Sequence, residues 1–536
     1  MTAIIETLLL LLAVLVVVAL AARRLRTAPS VLLVIAGVAL AFIPGLPRIE
    51  LAPELVLLGM LPPLIYSAGV AMSWREFRFN LRPISLLAVG CVIFTTCAVA
   101  GAAHWLLGMP WAVGFVLGAI VAPPDVVAPL AIARPLGLPR RMLVVLEGEG
   151  LANDATALIV YRFAIAAVST GAFSLAEAGG TFALIVVGEI AWGIAVGWLS
   201  LGLRRWAQEP RVEITLSLMT PYLAFWVPEM LGGSGVLATV ACGLFVSWNG
   251  PLLIPGATRL QGIFFWDLLI YMLEGFIFLL TGLEVRALME RAQSFPLGEL
   301  VGAVMITLAV VIVARFIWVF PATYLPRWLV PAIARRDPSP PWQWPFMLSF
   351  IGVRGVVSLA AALAVPLTTA SQAAFPYRDQ IFFITFGVIL LTLVGQGLLL
   401  PVVVRWLGLG SARADEHRRE HESELAARWE ALRLAEEKLN MLEGDNTVPS
   451  EVLATLRSHQ DYRTGRLPRS MSDGVEIAAI TADLRTQLID VERDHIYRML
   501  QEGRITDESR RRIERELDLE EAIIATKRHS GPQTPL

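Results

Sequence analysis

The sequence predicts an all-α, polytopic membrane protein of about thirteen transmembrane helices, followed by a charged helical tail. Composition is the first observation: of 536 residues, 56% are hydrophobic and only 17% charged, with mean hydropathy +0.64, where an average soluble chain is about 25% charged. The second is how the charge is partitioned. Residues 1–410 hold 44 of the 90 charged side chains (24 Arg and 20 acids), and the last 126 residues hold the other 46, about 11% against about 37%. Two domains follow, a membrane domain over 1–410 and a tail over 411–536. The third is the placement of arginine along the chain, which favours alternate loops. These figures argue against an ordinary cytosolic enzyme and exclude a disordered or collagen-like chain. No basic excess points to nucleic acid.

A bilayer core of roughly 30 Å takes about 20 apolar residues per helix. Spans are expected at about 3–22, 29–45, 55–73, 84–107, 111–133, 142–168, 180–203, 213–231, 234–248, 262–284, 297–323, 345–366 and 380–405, the ninth being short and Gly-rich. The first reads as a span and not as a cleaved signal, because its basic cluster follows the apolar run. Loops after odd-numbered spans carry 16 arginines, including Arg75, Arg78, Arg82, Arg140, Arg141, Arg327, Arg335 and Arg336; loops after even-numbered spans carry four, Arg48, Arg286, Arg291 and Arg378. The positive-inside bias then places the N-terminus outside and the tail in the cytoplasm. In the tail, Leu425, Trp429, Leu432 and Leu439 recur at helical spacing, as do Ile477, Ile480, Leu484, Leu488 and Val491, with breaks expected at 444–450 and 463–474. Such a tail reads as regulatory or dimerising. Cys91, Cys97 and Cys242 lie in apolar runs and form neither a disulfide framework nor a metal spacing.

Polar or broken backbone at membrane depth is costly, so it marks functional sites. In the fifth span, Ala122-Pro123-Pro124-Asp125 removes two backbone donors from an apolar helix and leaves an acid at the break. Gly352-Val353-Arg354-Gly355 interrupts the twelfth span and leaves a base. The two spans are seven apart and run in opposite directions, the pattern of paired discontinuous helices in an inverted-repeat transporter with a midplane site. The sixth span carries Glu147-Gly148-Glu149-Gly150-Leu151-Ala152-Asn153-Asp154. Glu147 lies near the cytoplasmic end. Glu149 and Asn153, four apart, share a face and read as a scaffold, with Arg354 as the natural counter-charge. Asp154 is turned about 140° from Glu149, toward the break at Asp125. A carboxylate taken out of water holds its proton more readily, so one acid can carry a proton at one moment and a cation the next. Arg315 in the eleventh span reads as the partner of Glu274 or Glu189. Tyr161 and Arg162 read as packing.

Residues 118–162, GAIVAPPDVVAPLAIARPLGLPRRMLVVLEGEGLANDATALIVYR, resemble bacterial members of the monovalent cation:proton antiporter family, the sodium/proton exchangers. Gly352-Val353-Arg354-Gly355-Val356-Val357-Ser358-Leu359-Ala360 resembles their Gly-x-Arg-Gly-x-x-Ser-Leu-Ala element, and residues 392–401, TLVGQGLLLP, their last-span signature. The tail segment from Glu502 to Glu521 is similar to tails of the bacterial members. The resemblance implies a thirteen-helix inverted-repeat fold, usually homodimeric, with a six-helix core. It implies that Asp154 binds the transported cation or proton beside Asp125, and that Glu149 and Arg354 form a structural ion pair that steadies Asn153. Asn153 before Asp154 resembles the electroneutral branch. Two positions depart from the family pattern: Pro124 replaces Thr before the Asp, and Gly150 replaces Ser after the second Glu. Backbone carbonyls or water then complete the ion's shell.

The expected function is exchange of a monovalent cation, Na+ first and K+ or Li+ as alternatives, for H+ across the cell membrane, serving pH and cation homeostasis. Asp154, Asp125 and Asn153 form the site, Glu149 and Arg354 the ion pair, and Pro124, Ser358 and Arg315 support them. No cofactor or nucleic acid is expected; the partners are the ions, membrane lipid and a second copy. A gated cation channel or efflux pore is the rival reading. An intramembrane enzyme lacks a nucleophile or metal set beside its carboxylates.

Overall fold

The computed structural model describes residues 2–25, 28–43, 52–134, 136–171, 173–292, 295–370, 372–444, 449–465, 475–502, 504 and 507–529. Among these the chain is almost wholly helical, with one isolated bridge between Thr368 and Ala374. It divides into two compact units, residues 1–415 and 416–536.

Every one of the thirteen expected segments contains helix, but they are not thirteen equal spans. Among the described residues, eight helical stretches are long and apolar enough to cross a membrane: Leu8–Leu25, Leu81–Leu107, Arg140–Thr170, Leu175–Ala207, Val236–Leu253, Gly256–Arg291, Leu297–Leu329 and Arg378–Trp406. The expected weak ninth segment is among them. Pro29–Ala41, Leu55–Ala71 and Trp111–Val121 are shorter, and Pro210–Met230 carries acids near both ends, Glu213 and Glu229. The twelfth segment is two half-helices, Gln343–Phe350 and Val356–Leu363. The fifth likewise stops at Val121 and restarts as Val127–Ala133. Both breaks fall where proline or glycine removes helical support.

Helices of the first unit pack in two groups. One gathers Thr2–Leu25, Pro29–Ala41, Leu61–Ala71, Leu175–Ala207, Pro210–Met230, Val236–Leu253 and Gly256–Leu283. Within it, Pro29–Ala41 meets Gly256–Leu283 so closely that a Cβ on Gly37 would lie 2.2 Å from the Leu279 carbonyl oxygen, and one on Gly282 2.3 Å from that of Val34. Small residues let these backbones touch, which is how helices gain packing where no water drives association. The other group gathers Leu81–Leu107, Trp111–Val121, Arg140–Thr170, Leu297–Leu329 and Arg378–Trp406 around the two broken segments. Arg140–Thr170 also packs on the first group, through Val236–Leu253 and Leu61–Ala71.

At the end of the second group where Arg140–Thr170 begins, Asp337 collects three guanidinium groups. Arg82 donates to its Oδ2 at 2.5 Å, Arg327 to Oδ2 at 2.7 Å, and Arg141 lies 2.8 Å from Oδ1. Burial pushes this carboxyl upward, but the Arg141 hydrogen bond and the charges of Arg141, Arg327 and Arg82 outweigh it and hold Asp337 below the ordinary carboxylate range.

The second unit contains Ser450–Gly465, Val475–Gln501, Asp507–His529 and most of Gly410–Gly444. Val475–Gln501 packs on Asp507–His529 through Ile489, Leu517 and Ile513, with Arg485 paired to Glu520 and Arg493 to Asp518 and Glu521. The expected apolar face is not the packed one. Leu484, Leu488 and Val491 are exposed, because Ile489, one position round the helix, takes the inner place. The side chains of Ile477 and Ile480, residues 445–448 and 466–474 of the expected breaks, and Arg48 lie outside the described residues.

Candidate ion-exchange site

The two breaks cross each other. The Asp125 amide donates to the Val353 carbonyl at 2.7 Å, joining one unwound strand of backbone to the other. The approach is tight enough that a Cβ on Gly355 would lie 2.4 Å from Asp125 Cβ and 2.6 Å from its Oδ2. Gly355 is therefore glycine for lack of room. Asp125 Oδ1 accepts from the Val127 amide at 3.0 Å and so satisfies one donor at the restarting helix.

Unwinding frees carbonyls, and two of them meet side chains. Asn153 donates from Nδ2 to the Pro124 carbonyl at 2.7 Å, tying the Arg140–Thr170 helix to the fifth-segment break. Arg354 donates to the Ala122 carbonyl. Its own amide donates to Thr392 Oγ1 at 3.0 Å. Thr392 begins a wide π-turn within the last membrane helix, a local irregularity that often accompanies function.

The expected Glu149–Arg354 ion pair does not form. Glu149 pairs with Arg315: Nη1 donates to Oε1 at 2.6 Å and Nη2 to Oε2 at 2.8 Å, with the Glu149 side chain 0% and the Arg315 side chain 2% exposed. Arg315 Nε donates further to the Leu348 carbonyl at 3.0 Å, at the end of the first half-helix. A carboxylate with two oxygens to satisfy takes a planar fork, and Arg315 on the neighbouring long helix presents one. Arg354, lying on the break, is drawn instead to the carbonyl that the break releases. Nor does Asn153 bond to Glu149, whose oxygens are taken; its Oδ1 is buried without a partner. Arg315 pairs with neither Glu274 nor Glu189. Glu189 accepts the amides of Ser234, Gly235 and Leu237 and so caps the helix Val236–Leu253.

Asp154 is half-buried, with no hydrogen bond or ion pair described, and the charge acting on it is that of Asp125. Glu274 in Gly256–Leu283 is a third half-buried acid within electrostatic reach of Asp125. Glu147 pairs with Arg134 at 2.8 Å at the partly exposed end of the helix. Ser358 is buried on the second half-helix. Gly150 is closely covered: a Cβ there would lie 2.2 Å from Val126 Cγ2, so an apolar side chain occupies the space a serine would need.

Two oppositely charged breaks that meet beside an unpaired carboxylate on a long membrane helix are the pattern of a secondary transporter. The comparisons agree. A model of the family described as "Sodium/hydrogen exchanger, transmembrane" matches residues 10–406, and the chain belongs to that family. An uncharacterized Na(+)/H(+) exchanger of Mycobacterium tuberculosis is 34% identical over 518 residues, 94% of this chain and 93% of its own length. The sodium, potassium, lithium and rubidium/H(+) antiporter of Bacillus pumilus is 33% identical over 68% of this chain and 56% of its own. The fold resembles that of the sodium proton antiporter of Methanocaldococcus jannaschii, with TM-score 0.59 at 18% identity, over 76% of this chain and 100% of that one.

Proposed function

We propose that this chain exchanges one monovalent cation for one proton at Asp154, by alternating access across the cell membrane. The observation that carries the proposal is a carboxylate left without a protein partner beside the crossed breaks. Asp154 and Asp125, with Asn153 Oδ1 unpartnered and carbonyls freed by unwinding, form an all-oxygen donor set suited to a small hard cation. A proton and a cation then compete for the charge of Asp154, while Asp125 keeps its hydrogen bond to the Val127 amide. Neutralised, the site moves with the second helix group past the first; empty and charged, it does not cross an apolar barrier. Because Asn153 supplies an amide where a second acid would add a charge, the exchange is electroneutral.

Glu149 with Arg315, and Arg354 on the Ala122 carbonyl, hold the crossing open without taking part in ion binding. Na+ is the proposed substrate, with K+ and Li+ as the alternatives that Gly150 and Pro124 leave open. Exposed Trp198, Trp206, Leu260 and Phe264 on Leu175–Ala207 and Gly256–Leu283 face lipid or a second copy of a homodimer. The N-terminus is outside and the tail cytoplasmic, by the arginine bias.

Inside-out membrane vesicles test this. They are acidified, Na+, K+ or Li+ is added separately, and a pH-sensitive dye is followed for the wild type and Asp154→Asn. Cation-driven loss of the proton gradient, absent in the variant, is expected. Full proton-coupled exchange by Asp154→Asn defeats the site assignment.

A further inference from the structure

We infer that Arg162 and Glu229 form a latch that closes the outer face of the exchanger and must part each time the site turns outward. Arg162 lies eight residues beyond Asp154 on the same helix, about 12 Å along its axis at 1.5 Å per residue. Glu229 is the penultimate residue of Pro210–Met230, in the opposing helix group. Their side chains form an ion pair while 34% and 29% exposed.

What sets this pair apart is what it joins. The pairs Glu149–Arg315, Glu147–Arg134 and Asp337 with Arg82, Arg141 and Arg327 all bind the second helix group to itself. Arg140–Glu76 ties the Asp154 helix to the short helix Trp74–Phe79 that links the groups. Among the ion pairs described in the first unit, Arg162–Glu229 is the one that runs from the Asp154 helix to a helix of the first group.

Glu229 also stands on a fixed post. The chain turns directly after it, with the Gly233 amide donating to the Pro228 carbonyl at 2.8 Å. Buried Glu189 then holds the Ser234, Gly235 and Leu237 amides that follow. Arg162, by contrast, rides on the helix that carries the site. A displacement of one group against the other leaves Glu149–Arg315 whole and separates Arg162 from Glu229. A contact made in one state and lost in the other biases the equilibrium between them. The inference rests on the alternating-access reading and on the outside placement of this end.

Purified full-length chain, reconstituted into proteoliposomes of known orientation, tests it. Glu229→Gln removes the charge and keeps the shape. A half-exposed ion pair shifts an equilibrium by up to about fivefold. The apparent KM for cation supplied outside is expected to fall by up to that factor and the KM for cation supplied inside to rise, with maximal rate little changed. The charge-reversed double variant R162E/E229R is expected to restore both constants toward wild type. A purely structural pair would change the rate equally from both sides.

A second arm places cysteines at both positions, with Cys91, Cys97 and Cys242 replaced. A reducible bifunctional thiol reagent is expected to stop transport, and reductant to restore it. KM values unmoved or moved together in Glu229→Gln, or full transport by the cross-linked protein, overturn the latch. Opposite shifts with the two sides interchanged keep the latch and invert the topology. Exchange by the wild type in the same vesicles tests the proposed function separately.

Discussion

Replacing Arg315 by Met is expected to destabilise the protein more than the same change at Arg354. In Arg315→Met, the Glu149 carboxylate stays 0% exposed, with both oxygens stripped of the fork that now meets them at 2.6 and 2.8 Å. Breaking a buried pair by removing one partner costs about 3–5 kcal/mol, because a charge is left buried and uncompensated. The hydrogen bond to the Leu348 carbonyl goes too. Arg354→Met strands no acid and loses a charge-assisted hydrogen bond to the Ala122 carbonyl, about 1.5–3 kcal/mol. The double variant R315M/E149M removes both charges and fills the space with apolar atoms, so most of the loss is expected to return. Thermal unfolding of the detergent-purified full chain reads these differences, with a drop of about 3–6 °C for Arg315→Met. Were Arg354 the partner of Glu149, Arg354→Met would be the more damaging change. An Arg315→Met protein as stable as wild type, or a double variant no better than the single, refutes the reasoning.

Gly355→Ala is expected to abolish exchange while the protein still inserts and purifies, since the new methyl must push Asp125 from a position 2.4 Å away; vesicle transport beside a membrane-fraction blot checks it. Gly150→Ala overpacks against Val126 Cγ2 at 2.2 Å, with an expected cost of about 1–3 kcal/mol. The double variant G150A/V126A is expected to recover in the same melting assay. At the cluster of arginines around Asp337, folding holds the carboxyl below its ordinary value of about 4. Its contribution is therefore present above that value and is lost as pH falls through the lower folded one. Asp337→Asn is expected to lower the melting temperature at pH 6–8, the gap to wild type narrowing below about pH 4.

The broken segments show how far local chemistry reaches. Two consecutive prolines before Asp125 remove donors, clash with the preceding turn and leave an acid in an apolar run, so the fifth-segment break was legible without a structure, whereas Pro62-Pro63 carry no such acid and stay inside Leu55–Ala71. The glycines around Arg354 marked the second break in the same way. Family resemblance, carried by three motifs in order, was equally legible, and the family match over residues 10–406 agrees with it. Equal spans were not legible: a window of apolar residues does not separate one long helix from two half-helices of eight residues each, as in the twelfth segment. In the tail, helical spacing found the helix but chose its exposed stripe, since two faces of Val475–Gln501 are apolar and only the neighbouring helix decides which is covered.

The sequence by itself determined that the chain crosses the membrane, where its helices break and which charges stand at those breaks, because span length, proline chemistry and residue type are properties of adjacent positions. The tertiary structure decided who pairs with whom. Glu149 and Asn153 share a helical face, yet neither bonds to the other, since the first is met by a guanidinium from a helix 166 positions away and the second by a carbonyl that proline set free. An ion pair depends on where two forks of atoms converge in space, and that convergence is made by the crossing of helices that no linear spacing records.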